Sequence, residues 1–335
     1  MERVTMADVA KEAGVSKSTV SQYLNKRYEY MGEKTRTRIK EAIERLDYQP
    51  NYIARSLKQK RTSMIGIIVA NIMHRFSTEV SHAIEEYCYD SDIQAIVCNA
   101  DDDPAKEKKY IEMLMAKQVD GLIIFPTAKN IDLYDQMIKS GYPVVFMDRK
   151  AGDLNLPRIV ANNVESAYDA VDHFIKYGHR KISIITQELS TSPRAERVTG
   201  YKNCLQDHEI EYKDEYVINQ PIEELQLELD RMFSLSQPPT ALLAGNDLVF
   251  LEILRFMKRK SISVPEHFSL VVFDNIPFAD VATPAVSTIS QPAFEMGQKA
   301  AELLLKQIKK EDVELKEYQY PCDLVIRETS ARQTD

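Results

Sequence analysis

Short, almost purely apolar runs recur through most of the chain, at residues 65–70, 93–98, 121–125, 144–147, 182–186, 241–244 and 270–273. Each has the length of a strand, and longer amphipathic stretches separate them. A sheet with one wet face shows a polar residue at every second position, so runs apolar on both faces call for parallel sheets covered by helices on both sides. The expected class for this part of the chain is therefore α/β. The series restarts near Lys181, which divides it into two lobes, one over about 64–161 and the other over about 163–290. A last helix over 294–309 is expected to return to the first lobe, so that 293–321 complete that lobe and 322–328 the second.

Ahead of the first run the pattern changes to helical spacing. Thr5-Met-Ala-Asp8 reads as a capping box, with a hydroxyl for an orphan amide and a carboxylate in the positive first turn. Met6, Val9, Ala10 and Ala13 follow the i, i+3, i+4, i+7 rule for one buried face, and Gly14 supplies the left-handed turn that ends a helix. Ser16 is a favourable N-cap for a second helix that turns Val20 and Leu24 inward. What stays outside is a wholly polar stripe of Lys17, Ser18, Ser21, Gln22 and Asn25. A third helix over 33–46 packs back through Ile39, Ala42, Ile43 and Leu46, leaving Lys34, Arg36, Arg38 and Lys40 in solvent.

A polar stripe by itself is most often a plain solvated face. The charge distribution adds to it. The whole chain has a net charge of −8, yet residues 1–61 hold 14 Lys and Arg against 8 Asp and Glu, while the remainder holds 29 against 43. A basic head on an acidic body approaches phosphates with one end only.

The order of residues in the head is more specific than its pattern. Val4-Thr-Met-Ala-Asp-Val-Ala-Lys-Glu-Ala-Gly-Val-Ser-Lys-Ser-Thr-Val-Ser21, followed by Leu24-Asn25, Thr35-Arg36 and Leu46-Asp-Tyr-Gln-Pro-Asn51, resembles the headpiece of the LacI family of bacterial transcription factors. The resemblance implies an all-α helix-turn-helix domain over 1–50, with DNA contacts from Thr5, Ser16, Lys17, Ser18, Thr19, Ser21, Gln22, Asn25 and Thr35. It also implies a hinge over 51–62 in which Leu57 wedges into the minor groove at the operator centre, with Asn51, Ala54, Arg55 and Lys58 beside it. A helix that short is marginal alone and gains order from DNA and a partner chain, and an apolar wedge needs neighbouring cations. Two departures stand out: Gln22 replaces the usual Arg, and Gly32 replaces the usual Ser N-cap of the third helix. Arg suits guanine and Gln suits adenine, so the base read is expected to differ.

Gly178-His-Arg-Lys-Ile182, Arg197-Val-Thr-Gly-Tyr201, Asn246-Asp247, Val264-Pro-Glu266, Phe273-Asp274 and Gln291-Pro292 carry the resemblance over the lobes. They imply a two-lobed, periplasmic-binding-protein-like sensor and dimerisation domain over 63–330. Val272 and Lys260 stand where the family has glycine. Ligands of open parallel sheets lie beyond the carboxyl ends of strands, which singles out Arg75 and Phe76 after the first run, Asp148 and Arg149 after the fourth, and Arg197, Asn246 and Asp274 in the second lobe. By family position the last three contact the ligand, whereas Asp247 is expected to cap the next helix. Several arginines converging in the cleft would mark an anionic effector. The expectation is a sugar acid, such as the 2-keto-3-deoxygluconate sensed by regulators of pectin and hexuronate breakdown, ahead of a neutral sugar, with a sugar phosphate or nucleobase corepressor as alternatives.

The implied function is repression of carbohydrate-catabolism genes by a homodimer on a pseudo-palindromic double-stranded operator, since one head reads too few base pairs. No cofactor or metal is expected. An enzyme is the first rival, but GxxxxGK[ST], GxSxG and HExxH are all absent from the sequence, and the six histidines are dispersed. Asp101, Asp102 and Asp103 precede Pro104 and read as helix caps. Four cysteines without a CxxC pair read as reduced thiols. Charges at Arg3, Asp8, Lys11 and Glu12 oppose a secretion signal, and no apolar run approaches the roughly 20 residues of a membrane span. The expected location is cytoplasmic, which also opposes an exported solute-binding protein.

Overall fold

The computed structural model describes residues 4–29, 31–49 and 61–333. The chain divides into two compact units, Met1–Thr62 and Ser63–Asp335. The hinge positions Asn51, Ala54, Arg55, Leu57 and Lys58 lie outside the described residues.

The first unit contains α1 (Met6–Ala13), α2 (Lys17–Leu24) and α3 (Glu33–Arg45). At the start of α1 the Asp8 carboxylate accepts both the amide (2.8 Å) and the hydroxyl (2.6 Å) of Thr5, and these bonds hold its pKa below the ordinary value. Gly14 ends α1 at φ 61°, a conformation in which a β-carbon is strained. Arg38, exposed as expected, also donates to the carbonyl oxygens of Ala13 and Gly14. The last carbonyls of α1 have no intrahelical partner and carry the negative end of the helix dipole, so a guanidinium is favoured there. Val9, Val20 and Ile39 are fully buried at the junction of the three helices, with Met31, Ala42 and Tyr48 around them.

The second unit is two lobes. In the first, β1 (Met64–Val69), β2 (Gln94–Asn99), β3 (Leu122–Ile124), β4 (Val144–Met147) and β5 (Arg158–Ala161) are joined by a late strand, β11 (Glu317–Tyr320), in the order β11-β5-β4-β3-β1-β2. All five pairings are parallel. The second lobe repeats the plan with β6 (Ile182–Thr186), β7 (Val217–Asn219), β8 (Ala241–Ala244), β9 (Ser269–Phe273), β10 (Ser287–Ser290) and β12 (Asp323–Val325), in the order β12-β10-β9-β8-β6-β7. Only β12 runs antiparallel to its neighbour.

Helices cover both faces of each sheet. They are α4 (Arg75–Tyr89), α5 (Pro104–Ala116) and α6 (Ile131–Lys139) from the first pass, α7 (Asn163–Lys176), α8 (Ser192–Asp207), α9 (Leu225–Phe233) and α10 (Asp247–Lys260) from the second, and α11 (Ala293–Lys309), which returns to pack on α4 and the first sheet. The chain crosses between lobes three times. Two of the crossings are tied together at Asn162, whose side-chain oxygen accepts from the Cys322 amide (2.8 Å) and whose own amide donates to the Tyr320 carbonyl (2.9 Å). No helix of the described residues is long and apolar enough to cross a membrane.

Candidate functional site

On the first unit, the Ser16 hydroxyl accepts from the Thr19 amide at 3.1 Å, as an N-cap does, and shares hydrogen bonds with the hydroxyls of Ser18 (2.6 Å) and Thr19 (2.8 Å). Lys17, Ser18 and Gln22 are exposed along α2, whereas Ser21 and Asn25 are half-buried. Asn25 departs from the expected free stripe: its amide donates to the Ser21 carbonyl at 2.7 Å and closes the helix end. Thr5 is exposed and Thr35 half-buried at the start of α3, which begins at Gly32 without a side-chain cap. The outward surface of α2 thus offers an ammonium, hydroxyls and one amide, groups that pair with phosphates and base edges.

In the second unit the carboxyl ends of both sheets face one cleft, which encloses roughly 460 Å³, part of it open to solvent. Phe76, Asp148, Arg149, Arg197, Asn246 and Asp274 all line it. Arg75 does not. Its guanidinium lies along the outer face of α4, with Nε 2.8 Å from Glu79 Oε1, an exposed i, i+4 pair.

Arg197, one turn and a half into α8, is buried. Its Nε donates to Asn163 Oδ1 (2.9 Å) and its Nη1 to the Gly245 carbonyl (2.5 Å), while the guanidinium lies 3.5 Å from the centre of the Phe273 ring. Asp274 follows Phe273 with φ 85°, and Asp148 follows β4 with φ 69°. Two non-glycine residues held in the left-handed region directly after strands are strained backbone at the cleft. Asp274 Oδ1 accepts from Gln291 Nε2 at 2.5 Å. Burial pushes its carboxyl above the ordinary value despite nearby Arg197, so Asp274 takes up a proton more readily than a solvated aspartate. Gln291 Oε1 is buried with no protein partner among the described residues.

The cap of α10 is Asn246 rather than the expected Asp247. The Asn246 Oδ1 accepts from the Val249 amide (2.9 Å) while its Nδ2 donates to Gln187 Oε1 (2.8 Å). Asp247 reaches across to the first lobe, 2.6 Å from His74 Nδ1 and 2.7 Å from the Arg75 amide. Burial opposes its charge, but these partners and the Leu248 amide outweigh it and hold its pKa down.

Sequence reasoning missed the charge network at the other end of the cleft. Asp102, read as a capping residue, accepts from Arg149 Nη1 (2.5 Å) in its own lobe and from Arg194 Nη2 (3.2 Å) across the cleft. Only Asp103 of the three acids caps α5. Burial disfavours the Asp102 carboxylate, yet Arg149 and then Arg194 hold its pKa below the ordinary 3.8. Lys150 bridges the lobes beside them, 3.0 Å from Glu196. Arg194 is separated from Arg197 by one helical turn, and this i, i+3 spacing is the signal that would have found it. Two guanidinium groups share the Asp102 carboxylate, and the buried Arg149 Nε, which makes no hydrogen bond among the described residues, lies 3.6 Å from Asp148 Oδ2. With Asp148 beside Arg149, the two guanidinium groups here are matched by two carboxylates.

A polar-faced three-helix head and a cleft between two parallel-sheet lobes are together the architecture of a ligand-sensing DNA-binding protein, and comparison with known proteins agrees. Residues 5–51 match the family described as "Bacterial regulatory proteins, lacI family", and residues 171–330 match "Periplasmic binding protein-like domain". The chain is 46% identical over 307 residues to a protein named probable HTH-type transcriptional regulator EndR of Paenibacillus polymyxa, covering 91% of this chain and 90% of that one. It is 33% identical over 328 residues to the HTH-type transcriptional repressor PurR of Aliivibrio salmonicida, covering 97% and 98%. Its fold matches the crystal structure of the Lac repressor dimer bound to operator and the anti-inducer ONPF with a TM-score of 0.84 at 24% identity, over 98% of this chain and all of that one. The chain belongs to the LacI family of bacterial transcriptional regulators.

Proposed function

We propose that this protein is a non-enzymatic repressor that binds a pseudo-palindromic operator as a homodimer and leaves it when an anionic sugar, a sugar acid, occupies the cleft. The observation that carries the choice of effector is the pair of buried guanidinium groups, Arg149 and Arg194, that line the cleft and converge on Asp102. A ligand carboxylate placed there gains charge-assisted, fork-shaped hydrogen bonds. Asp274, Gln291 and Asn246 elsewhere in the lining suit hydroxyl groups, and Phe76, edge-on to Phe125 with centroids 6.4 Å apart, suits the apolar face of a sugar ring. Closure comes from groups that already bridge the lobes, His74 with Asp247 and Asp102 with Arg194, so a ligand bound between them changes the lobe geometry that the paired hinges sense. Leu57 with Ala54, Arg55 and Lys58 would then be the element released from the minor groove.

The test is a thermal-shift screen of the full chain against hexuronates, keto-deoxy sugar acids, sugar phosphates, nucleobases and neutral sugars. A ligand specific to the folded state raises the melting point. Selective stabilisation by sugar acids is expected; selective stabilisation by neutral sugars or nucleobases would refute the anionic effector while leaving the DNA-binding role intact.

A further inference from the structure

Roughly two turns beyond Arg197 along α8, a second cluster of donor groups lies outside the cleft. Cys204 and His208 are four residues apart, so the thiol and the imidazole share one helix face, and Asp172 on the adjacent α7 faces both. The Sγ, imidazole nitrogen and carboxylate oxygen all lie within 4.8 Å of one another. His208 Nε2 is 2.9 Å from Asp172 Oδ1. Cys204 is buried, while the side chains of Asp172 and His208 are 17% and 32% exposed, which leaves the cluster open to solvent on one side.

We propose that Asp172, Cys204 and His208 form a Zn²⁺ site on the second lobe, with water as the fourth ligand. Thiolate, imidazole and carboxylate are the donors zinc takes, and bond lengths of about 2.0–2.3 Å put tetrahedral donors roughly 3.3–3.6 Å apart, so no pair of the three atoms needs to close by more than about 1.5 Å, and His208 and Asp172 open slightly. On binding, the thiol gives its proton to solvent and its sulfur lone pair to the metal, His208 binds through Nε2, and Asp172 exchanges Lys176, whose Nζ is 2.5 Å away, for zinc. The metal would then pin α7 to α8, the pair whose opposite ends bring Asn163 and Arg197 together at the cleft.

Titrating the full chain with Co²⁺ alone tests the assignment. One equivalent is expected to produce a sulfur-to-cobalt charge-transfer band in the near ultraviolet that Zn²⁺ abolishes and that Cys204→Ser lacks. Zn²⁺ affinity, read by competition with a chromophoric chelator, should fall at least about tenfold in His208→Asn, a position exposed enough to spare the fold, and should rise in Lys176→Met, which removes the competing ammonium. A band that survives Cys204→Ser, or an affinity that both His208→Asn and Lys176→Met leave unchanged, overturns the site.

Discussion

Asp102→Asn separates the structural and the recognition roles of the arginine pair. Both guanidinium groups are less than a tenth exposed, and the Asp102 carboxylate is 28% exposed. Neutralising it weakens two charge-assisted hydrogen bonds, each worth about 1.5–3 kcal/mol, while the amide oxygen retains one acceptor. Removing a partner from a buried ion pair costs about 3–5 kcal/mol in full, so the variant should lose roughly 2–3 kcal/mol. For a unit of this size that is a fall in melting temperature of about 4–5 °C. The sign with pH follows from the depressed pKa of Asp102. The stabilisation is present above the unfolded value of 3.8 and is lost as pH falls through the lower folded value, so the gap between parent and variant should close only under strong acid. Meanwhile the cleft gains one net positive charge. Two charges about 6 Å apart at an effective dielectric of about 20 interact by roughly 3 kcal/mol, so even after screening a sugar acid should bind at least about tenfold more tightly to the variant. Differential scanning calorimetry with and without hexuronates measures both. A variant as stable as the parent, or one whose affinity for neutral sugars rises equally, refutes the reasoning.

Three further outcomes are expected. Gly200→Ala places a β-carbon 2.1 Å from the Val164 carbonyl oxygen, where backbone meets helix, and should cost about 1–3 kcal/mol in urea unfolding. Asp247→Ala removes the lobe-to-lobe bonds to His74 and the Arg75 amide, so hydrogen exchange at Arg75 should quicken; unchanged protection would show that the lobes are held elsewhere. Leu57→Ala should weaken operator binding without altering the melting of either unit, and undiminished binding would remove the wedge role.

Much of this architecture is legible in the sequence because burial on both faces leaves a plain mark. The strands first read, from 65–70 to 270–273, are central members of the two sheets, except that 93–98 is the partly exposed edge strand β2. The others are concealed by their polarity. In β10, Ser287 and Thr288 are fully buried yet hydroxylated, satisfied by Arg327, whose amide reaches Ser287 Oγ at 2.8 Å and whose Nη1 reaches Thr288 Oγ1 at 3.0 Å. Such pairing joins residues 40 apart and leaves no periodicity to detect. Gln291 stands out in the sequence only as part of the Gln291-Pro292 motif and not as a cleft residue, because the strand ahead of it is hidden.

The cleft divides in the same way. Arg197 and Asp274 follow strands that the sequence reveals, and the structure brings them together. Asp102, Arg194 and the His74–Asp247 bridge depend on which side chain reaches across the gap, a property of the facing lobe rather than of local sequence. Arg75 illustrates the converse: its position after β1 is right, but the first turn of α4 turns its side chain onto Glu79.

The central claim is that DNA is read by the small basic unit and by nothing else. Fluorescence anisotropy on a labelled operator, with the full chain and with residues 61–335 alone, measures it across a range of salt. Counterion release predicts that the full chain binds with an affinity falling linearly in logarithmic salt, that Gln22→Ala changes sequence preference, and that residues 61–335 do not bind. Operator binding retained by residues 61–335, or an affinity indifferent to salt, would contradict it.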